Sequence, residues 1–152
     1  MKKTGSNVVL TESGAISLTG MGSVRAGDFH PGAISAHGGL IQMGQGCCDA
    51  WGDQYTLVSG PHSFGSGGTF FADTASGDFV GVFGFGYPQN PGQEGCIDVP
   101  YGYVSGAALS ATMTFNNATF ASLGVTPGHL RVDVGDWSES EVHAHHRPLV
   151  GG

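Results

Sequence analysis

Ala107-Ala108-Leu109-Ser110-Ala111-Thr112-Met113-Thr114-Phe115 decides the fold class. Its larger apolar residues, Leu109, Met113 and Phe115, share one parity, and Ser110, Thr112 and Thr114 share the other. A period of two is the signature of a strand that buries one face and wets the other. Outward from this stretch the same grammar repeats. Val8-Val9-Leu10 and Ala15 to Thr19 are β-prone runs around Glu12-Ser13-Gly14, which predicts a hairpin. Ala33 to Met43 is apolar and broken at Gly38-Gly39. Gln54 to Ser59, Thr69 to Ala72 and Asp78 to Phe85 read as strands, with Thr74-Ala75-Ser76-Gly77 as a turn. Tyr87 to Gly95 carries Pro88, Asn90, Pro91 and Gly92 and reads as a surface loop. Asn117 is placed to cap a short helix near 118–123, with Gly124 as its C′ residue and Pro127 preventing continuation. Leu130, Val132 and Val134 alternate with Arg131 and Asp133 as a last strand.

Composition agrees with this reading. The chain has 152 residues, about one domain, of which 39% are hydrophobic and only 11% charged, while glycine contributes 28. There is little Glu, Lys or Arg from which to build exposed helix faces. The expectation is an all-β fold, an antiparallel β-sandwich or a similar glycine-rich β domain over residues 1–134, with a flexible tail over 135–152.

Five Lys plus Arg and a net charge of −7 provide no footprint for a phosphate backbone, so nucleic acid is not an expected partner. No apolar run is long enough for a membrane span. Cys47, Cys48 and Cys96 permit at most one disulfide and contain no C-x-x-C pair. Met1, Lys2 and Lys3 resemble the start of a secretory leader, yet no apolar segment follows, so the chain as written is expected to stay in the cytoplasm.

Two longer stretches carry a family resemblance. One runs Gly60-Pro61-His62-Ser63-Phe64-Gly65-Ser66-Gly67-Gly68, followed by Ala72-Asp73, Ser76-Gly77-Asp78 and Val80-Gly81. The other runs Pro100-Tyr101-Gly102-Tyr103-Val104-Ser105-Gly106-Ala107-Ala108-Leu109-Ser110 and then from Phe115-Asn116-Asn117 to Gly128. Together they resemble the extracellular domain of bacterial PEP-CTERM surface proteins over about half of the chain. The resemblance implies a small exported β domain of the surface or matrix type, handled by an exosortase, non-enzymatic and located outside the cell or on its surface. It supplies no catalytic residues, and the leader and Pro-Glu-Pro sorting tail of that family do not occur in this sequence.

After Gly128 the chain departs from the family. His129-Leu130-Arg131-Val132-Asp133-Val134-Gly135 stands where the family has Thr-Tyr-Val-Trp-Thr-Trp-Gly. With synonymous codons chosen for the purpose, CAC CTA CGT GTG GAC GTG GGG encodes the residues present, and omission of its first base yields the family's strand. Val142-His143-Ala144-His145-His146, written GTT CAC GCT CAC CAC, contains Phe-Thr-Leu-Thr in the same shifted frame. These matches motivate the hypothesis of a frameshift near Gly128, which the nucleotide sequence tests directly.

Several constellations carry possible chemistry. His143, His145 and His146, with Glu141, Asp136 and Asp133 upstream, are the densest set of metal-ligand types, and imidazole with carboxylate suits Zn²⁺. A metal held there would polarise a lactone or ester carbonyl, with Glu141 as base, which makes a small metal-dependent hydrolase the alternative function. Under the frameshift these histidines are accidents of translation. Asp49 and Asp53 near Trp51, and Asp73 with Asp78 around a glycine turn, are oxygen ligands of the kind Ca²⁺ takes. Asp in such turns also caps backbone amides. Pro61-His62-Ser63-Phe64-Gly65 is close to a nucleophile elbow, but the glycines and β-prone Thr69-Phe70-Phe71 after it leave no room for the helix an elbow needs. Trp51, Tyr55, Tyr87, Tyr101 and Tyr103 are candidates to line a polysaccharide-binding surface or to pack the rim of the core. Asn117-Ala118-Thr119 fits a glycosylation sequon as well as a cap.

Overall fold

The computed structural model describes residues 1–22, 24–29, 32–45, 50–59, 62–83, 95–128 and 133–134. In chain order the strands are β1 (Lys2–Thr4), β2 (Asn7–Ala15), β3 (Val24–Phe29), β4 (Ala33–Ser35), β5 (Leu40–Met43) and β6 (Ala50–Ser59). They continue with β7 (Thr69–Phe71), β8 (Thr74–Gly77), β9 (Val80–Phe83), β10 (Gly95–Pro100), β11 (Ala108–Phe115) and β12 (Asp133–Val134). All pairings are antiparallel. One sheet has the order β1-β2-β11-β8, and the other has the order β12-β6-β10-β9-β5-β4-β7, with β3 also pairing with β6.

The alternation in β11 does what its pattern dictates. Leu109, Ala111, Met113 and Phe115 are buried, while the residues between them are half-buried or exposed. Val8 and Leu10 of β2 lie opposite Phe115 and Met113 and share that inner face. From the other sheet Ile34, Met43 and Val80 join the same cluster, so the main core lies between the two sheets. A smaller cluster gathers Ile16, Met21, Tyr55 and Val82 around Ile97.

Three local expectations are corrected. Glu12-Ser13-Gly14 is no hairpin turn: β2 runs straight through it, opposite Ala111, Ser110 and Leu109. Eight consecutive partners on β11 outweigh the turn preference of three residues. The hairpin forms instead between β1 and β2, with Thr4 opposite Asn7. Thr74 to Gly77 is not a turn either but β8, paired with the second edge of β11. The chain thus passes from β7 in the larger sheet to β8 in the smaller one and back to β9. The helix expected near 118–123 is a single turn. Thr119 and Ser122 close it reciprocally, each backbone N–H donating to the other's hydroxyl, and Gly124 ends it with φ of 62°.

Three strands, β1, β3 and β10, were not legible as such. β10 pairs with both β6 and β9 in the larger sheet. The last expected strand reaches the structure as β12, whose Asp133 and Val134 pair with Ser59 and Val58. The loop expected over Tyr87 to Gly95 lies outside the described residues as far as Glu94, and so does the tail over 135–152.

The glycine-rich stretch after Phe64 docks on the turn at 119–124. The backbone N–H groups of Ser66 and Gly67 both donate to the Gly124 carbonyl, and Thr126 N–H donates to Phe64 O. A Cβ on Gly67 would stand 2.0 Å from the Leu123 carbonyl oxygen, so only glycine allows this approach. The loop after Phe64 and the turn at 119–124 therefore hold each other.

Candidate functional site

Asp73 and Asp78 stand where the chain changes sheets. Asp73 N–H donates to Thr114 O, and its Oδ2 accepts from Asn116 N at 2.7 Å. Asp78 repeats the pattern one strand-length away: its N–H donates to Ser110 O, and its Oδ2 accepts from Ser110 N at 2.8 Å. Each carboxylate thus continues the β8·β11 ladder by one bond at either end of a short edge strand. A third candidate, Asp53 of β6, is buried and accepts from Gly102 N at 2.8 Å, fixing the turn that follows β10. Carboxylates that accept backbone N–H bonds satisfy donors that strand ends otherwise leave open. Among the described residues no group of three or more His, Cys, Asp or Glu side chains is placed to hold a metal ion. The other proposed ligands, Asp49, His143, His145 and His146, and the proposed base Glu141 lie outside the described residues.

Among the described residues the most buried ionisable group is one that the pattern of turns and loops did not single out. Asp98 of β10 is fully buried, with Oδ1 accepting from Gln54 Nε2 at 2.9 Å and Oδ2 from Gln42 Nε2 at 3.1 Å. Register explains the triad. Gln54 lies directly opposite Asp98 on β6, Gly81 lies opposite it on β9, and Gln42 lies opposite Gly81 on β5. Gln42 therefore reaches Asp98 across a strand. A Cβ on Gly81 would come 3.1 Å from Gln42 Cγ and 2.5 Å from the Ile41 carbonyl, so glycine opens that path. Burial pushes the Asp98 carboxyl above its ordinary range, and the two amide donors act against that shift. The available signal was a carboxylate set between Ile97 and Val99 in an otherwise apolar run.

Cys96 sits two residues away on the same strand. Burial first, and the Asp98 charge second, push its thiol up, so it stays protonated and is a poor nucleophile. Cys47 and Cys48 lie outside the described residues.

Among the described residues Glu12 is the carboxylate for which no hydrogen bond is formed. Its Oε2 is buried and has no hydrogen-bond partner among the described residues. Burial first, and the charge of Asp78 second, raise its pKa.

Ser63 is exposed, and the residues after it form no helix. Phe64 is buried instead, its N–H donating to Ala36 O, so the segment is a docking loop and not a nucleophile elbow. The Tyr103 hydroxyl receives Ile16 N–H and lies 2.6 Å from Ala107 O, joining the end of β2 to the start of β11. Tyr55 packs beside Ile97 in the smaller cluster, Tyr101 is exposed, and Tyr87 lies outside the described residues. No helix among the described residues is long and apolar enough to cross a membrane.

Fold and polar groups together define an all-β, two-sheet antiparallel domain in which, among the described residues, Asp53, Asp73, Asp78 and Asp98 serve the protein's own backbone and amides. No protein-family model, no curated protein and no solved structure matches the chain.

Proposed function

We propose that this chain is a non-enzymatic β domain of the exported surface or matrix type, and that its ligand is polysaccharide. The observation that carries the non-enzymatic part of this reading is the use made of Asp53, Asp73, Asp78 and Asp98. Each accepts hydrogen bonds from the chain itself, at distances between 2.7 and 3.1 Å. Groups committed to holding strands together are unsuited to turning over a substrate. The resemblance to PEP-CTERM surface proteins supports the same reading and implies a setting outside the cell or on its surface.

Retention of the purified full chain on a panel of polysaccharides, with metal content and lactone and ester hydrolysis measured on the same preparation, tests the proposal. Polymer retention with no turnover supports it. Stoichiometric Ca or Zn together with hydrolysis abolished by chelator would overturn it in favour of a metal-dependent hydrolase.

A further inference from the structure

The solvent side of β2, β11 and β8 in the smaller sheet carries a register-aligned set of hydroxyls, bordered by Val9 and by Lys2 of β1 opposite it. Along β11 the buried Leu109, Ala111, Met113 and Phe115 alternate with Ser110, Thr112 and Thr114 on the outer side. Register aligns the neighbours with them. Thr112 lies between Thr11 of β2 and Ser76 of β8, Ser110 lies opposite Ser13, and Thr114 lies opposite Thr74. Pleated geometry sets the spacing, about 4.8 Å between strands and about 6.8 Å between successive outward residues of one strand. Thr112 Oγ1 donates to Leu10 O at 3.0 Å, which fixes its rotamer, whereas Thr11, Ser13, Ser76 and Ser110 have no side-chain hydroxyl bond within the protein among the described residues. These hydroxyls are free to donate and accept on a backbone that three paired strands hold rigid.

Charge selects the partner. No outward position of β2, β11 or β8 is ionisable, although the exposed Lys2 of β1 opposite Val9 and the exposed Asp78 beside Ser110 border them, and the whole chain carries −7. Anionic polymers and a second copy of the chain are both repelled at long range, and a hydroxyl face offers a protein partner little apolar surface to bury. A neutral polymer made of hydroxyls meets neither obstacle. Resting on the reading of the chain as a polysaccharide-binding domain, we infer that this outer face is its binding surface and that the ligand is a neutral, extended polysaccharide.

The test is electrophoresis of the full chain through native gels containing hydroxyethylcellulose, galactomannan or xyloglucan, with alginate as the anionic comparison. The variant Thr11→Val, Thr114→Val, Ser76→Ala removes three hydroxyls while keeping net charge and strand preference, so mobility reports binding directly. Val104→Thr, at an exposed position outside these three strands, is the control. Circular dichroism verifies that both fold. The expected result is retardation of the wild type by at least one neutral polymer and not by alginate, at least 10-fold weaker binding by the triple variant, and no change in the control. Equal retardation of wild type and triple variant would overturn the surface while leaving the polysaccharide reading intact. Retardation by alginate and by no neutral polymer would overturn the neutral ligand while leaving the polysaccharide reading intact, and absence of retardation by every polymer, alginate included, would overturn both.

Discussion

At Asp98 a single carboxylate lies fully buried between two glutamine amides. Its removal strands donors on Gln42 and Gln54, each worth about 1–3 kcal/mol when buried and unmet. Asp98→Ala is therefore expected to lose about 2–4 kcal/mol in urea unfolding. Asp98→Asn is expected to be far milder, because either glutamine can turn its amide and present a carbonyl to the new NH₂ group. Equal losses for the two variants would show that the amide bonds contribute little. Glu12 presents the opposite case, a carboxylate whose buried Oε2 gains nothing. Its folded-state pKa is raised above the ordinary 4.5, so the native state holds the proton more tightly than the unfolded chain does. The stability linked to this group is fully present below the unfolded pKa and is lost as pH rises through the folded one. Glu12→Gln is thus expected to raise Tm at pH 7, with the gain vanishing below about pH 4. A gain that persists unchanged at low pH would attribute the effect to packing instead. The sequence did not mark either residue, since an Asp inside an apolar run becomes meaningful only when its cross-strand partners are known.

At the scale of elements, the turn at 119–124 and the loop after Phe64 depend on a backbone approach that a side chain would block. Gly67→Ala places a methyl against the Leu123 carbonyl and is expected to cost about 2–4 kcal/mol. Gly68→Ala, where a Cβ has nothing within 4 Å, is expected to be nearly neutral. Chemical denaturation of the two variants compares them directly, and similar midpoints would contradict the docked arrangement. Element identity was legible where the period-two pattern was long, as in Ala108–Phe115, or where glycines broke an apolar run, as between Ala33–Ser35 and Leu40–Met43. It was not legible in Thr74–Gly77, whose residues favour a turn locally. That segment is a strand because β11 has a free edge there and Asp73 and Asp78 fasten both ends to it.

Across the molecule, the core joins the two sheets: Val8, Leu10 and Met113 from one touch a cluster that also holds Ile34, Met43 and Val80 from the other. Neither sheet can lose its partner and keep a dry face, so unfolding is expected to be one cooperative transition. Met113→Ala, at a position with 0% exposure, is expected to lower stability by about 2–5 kcal/mol while far-UV circular dichroism and Tyr/Trp fluorescence still change together. Separate transitions by the two probes would show that the sheets fold independently.

The sequence by itself determined the all-β class, the inner face of β11 and the glycine-marked breaks, because side-chain parity and backbone freedom are properties of neighbouring residues. Its Asp residues in turns already carried two readings, as metal ligands and as backbone caps. Only the tertiary structure decided which strands pair, that Asp53, Asp73 and Asp78 cap backbone N–H groups, and that Asp98 sits between Gln42 and Gln54. Those outcomes depend on register between segments far apart in the chain, and register is fixed by burying one face of every strand at once.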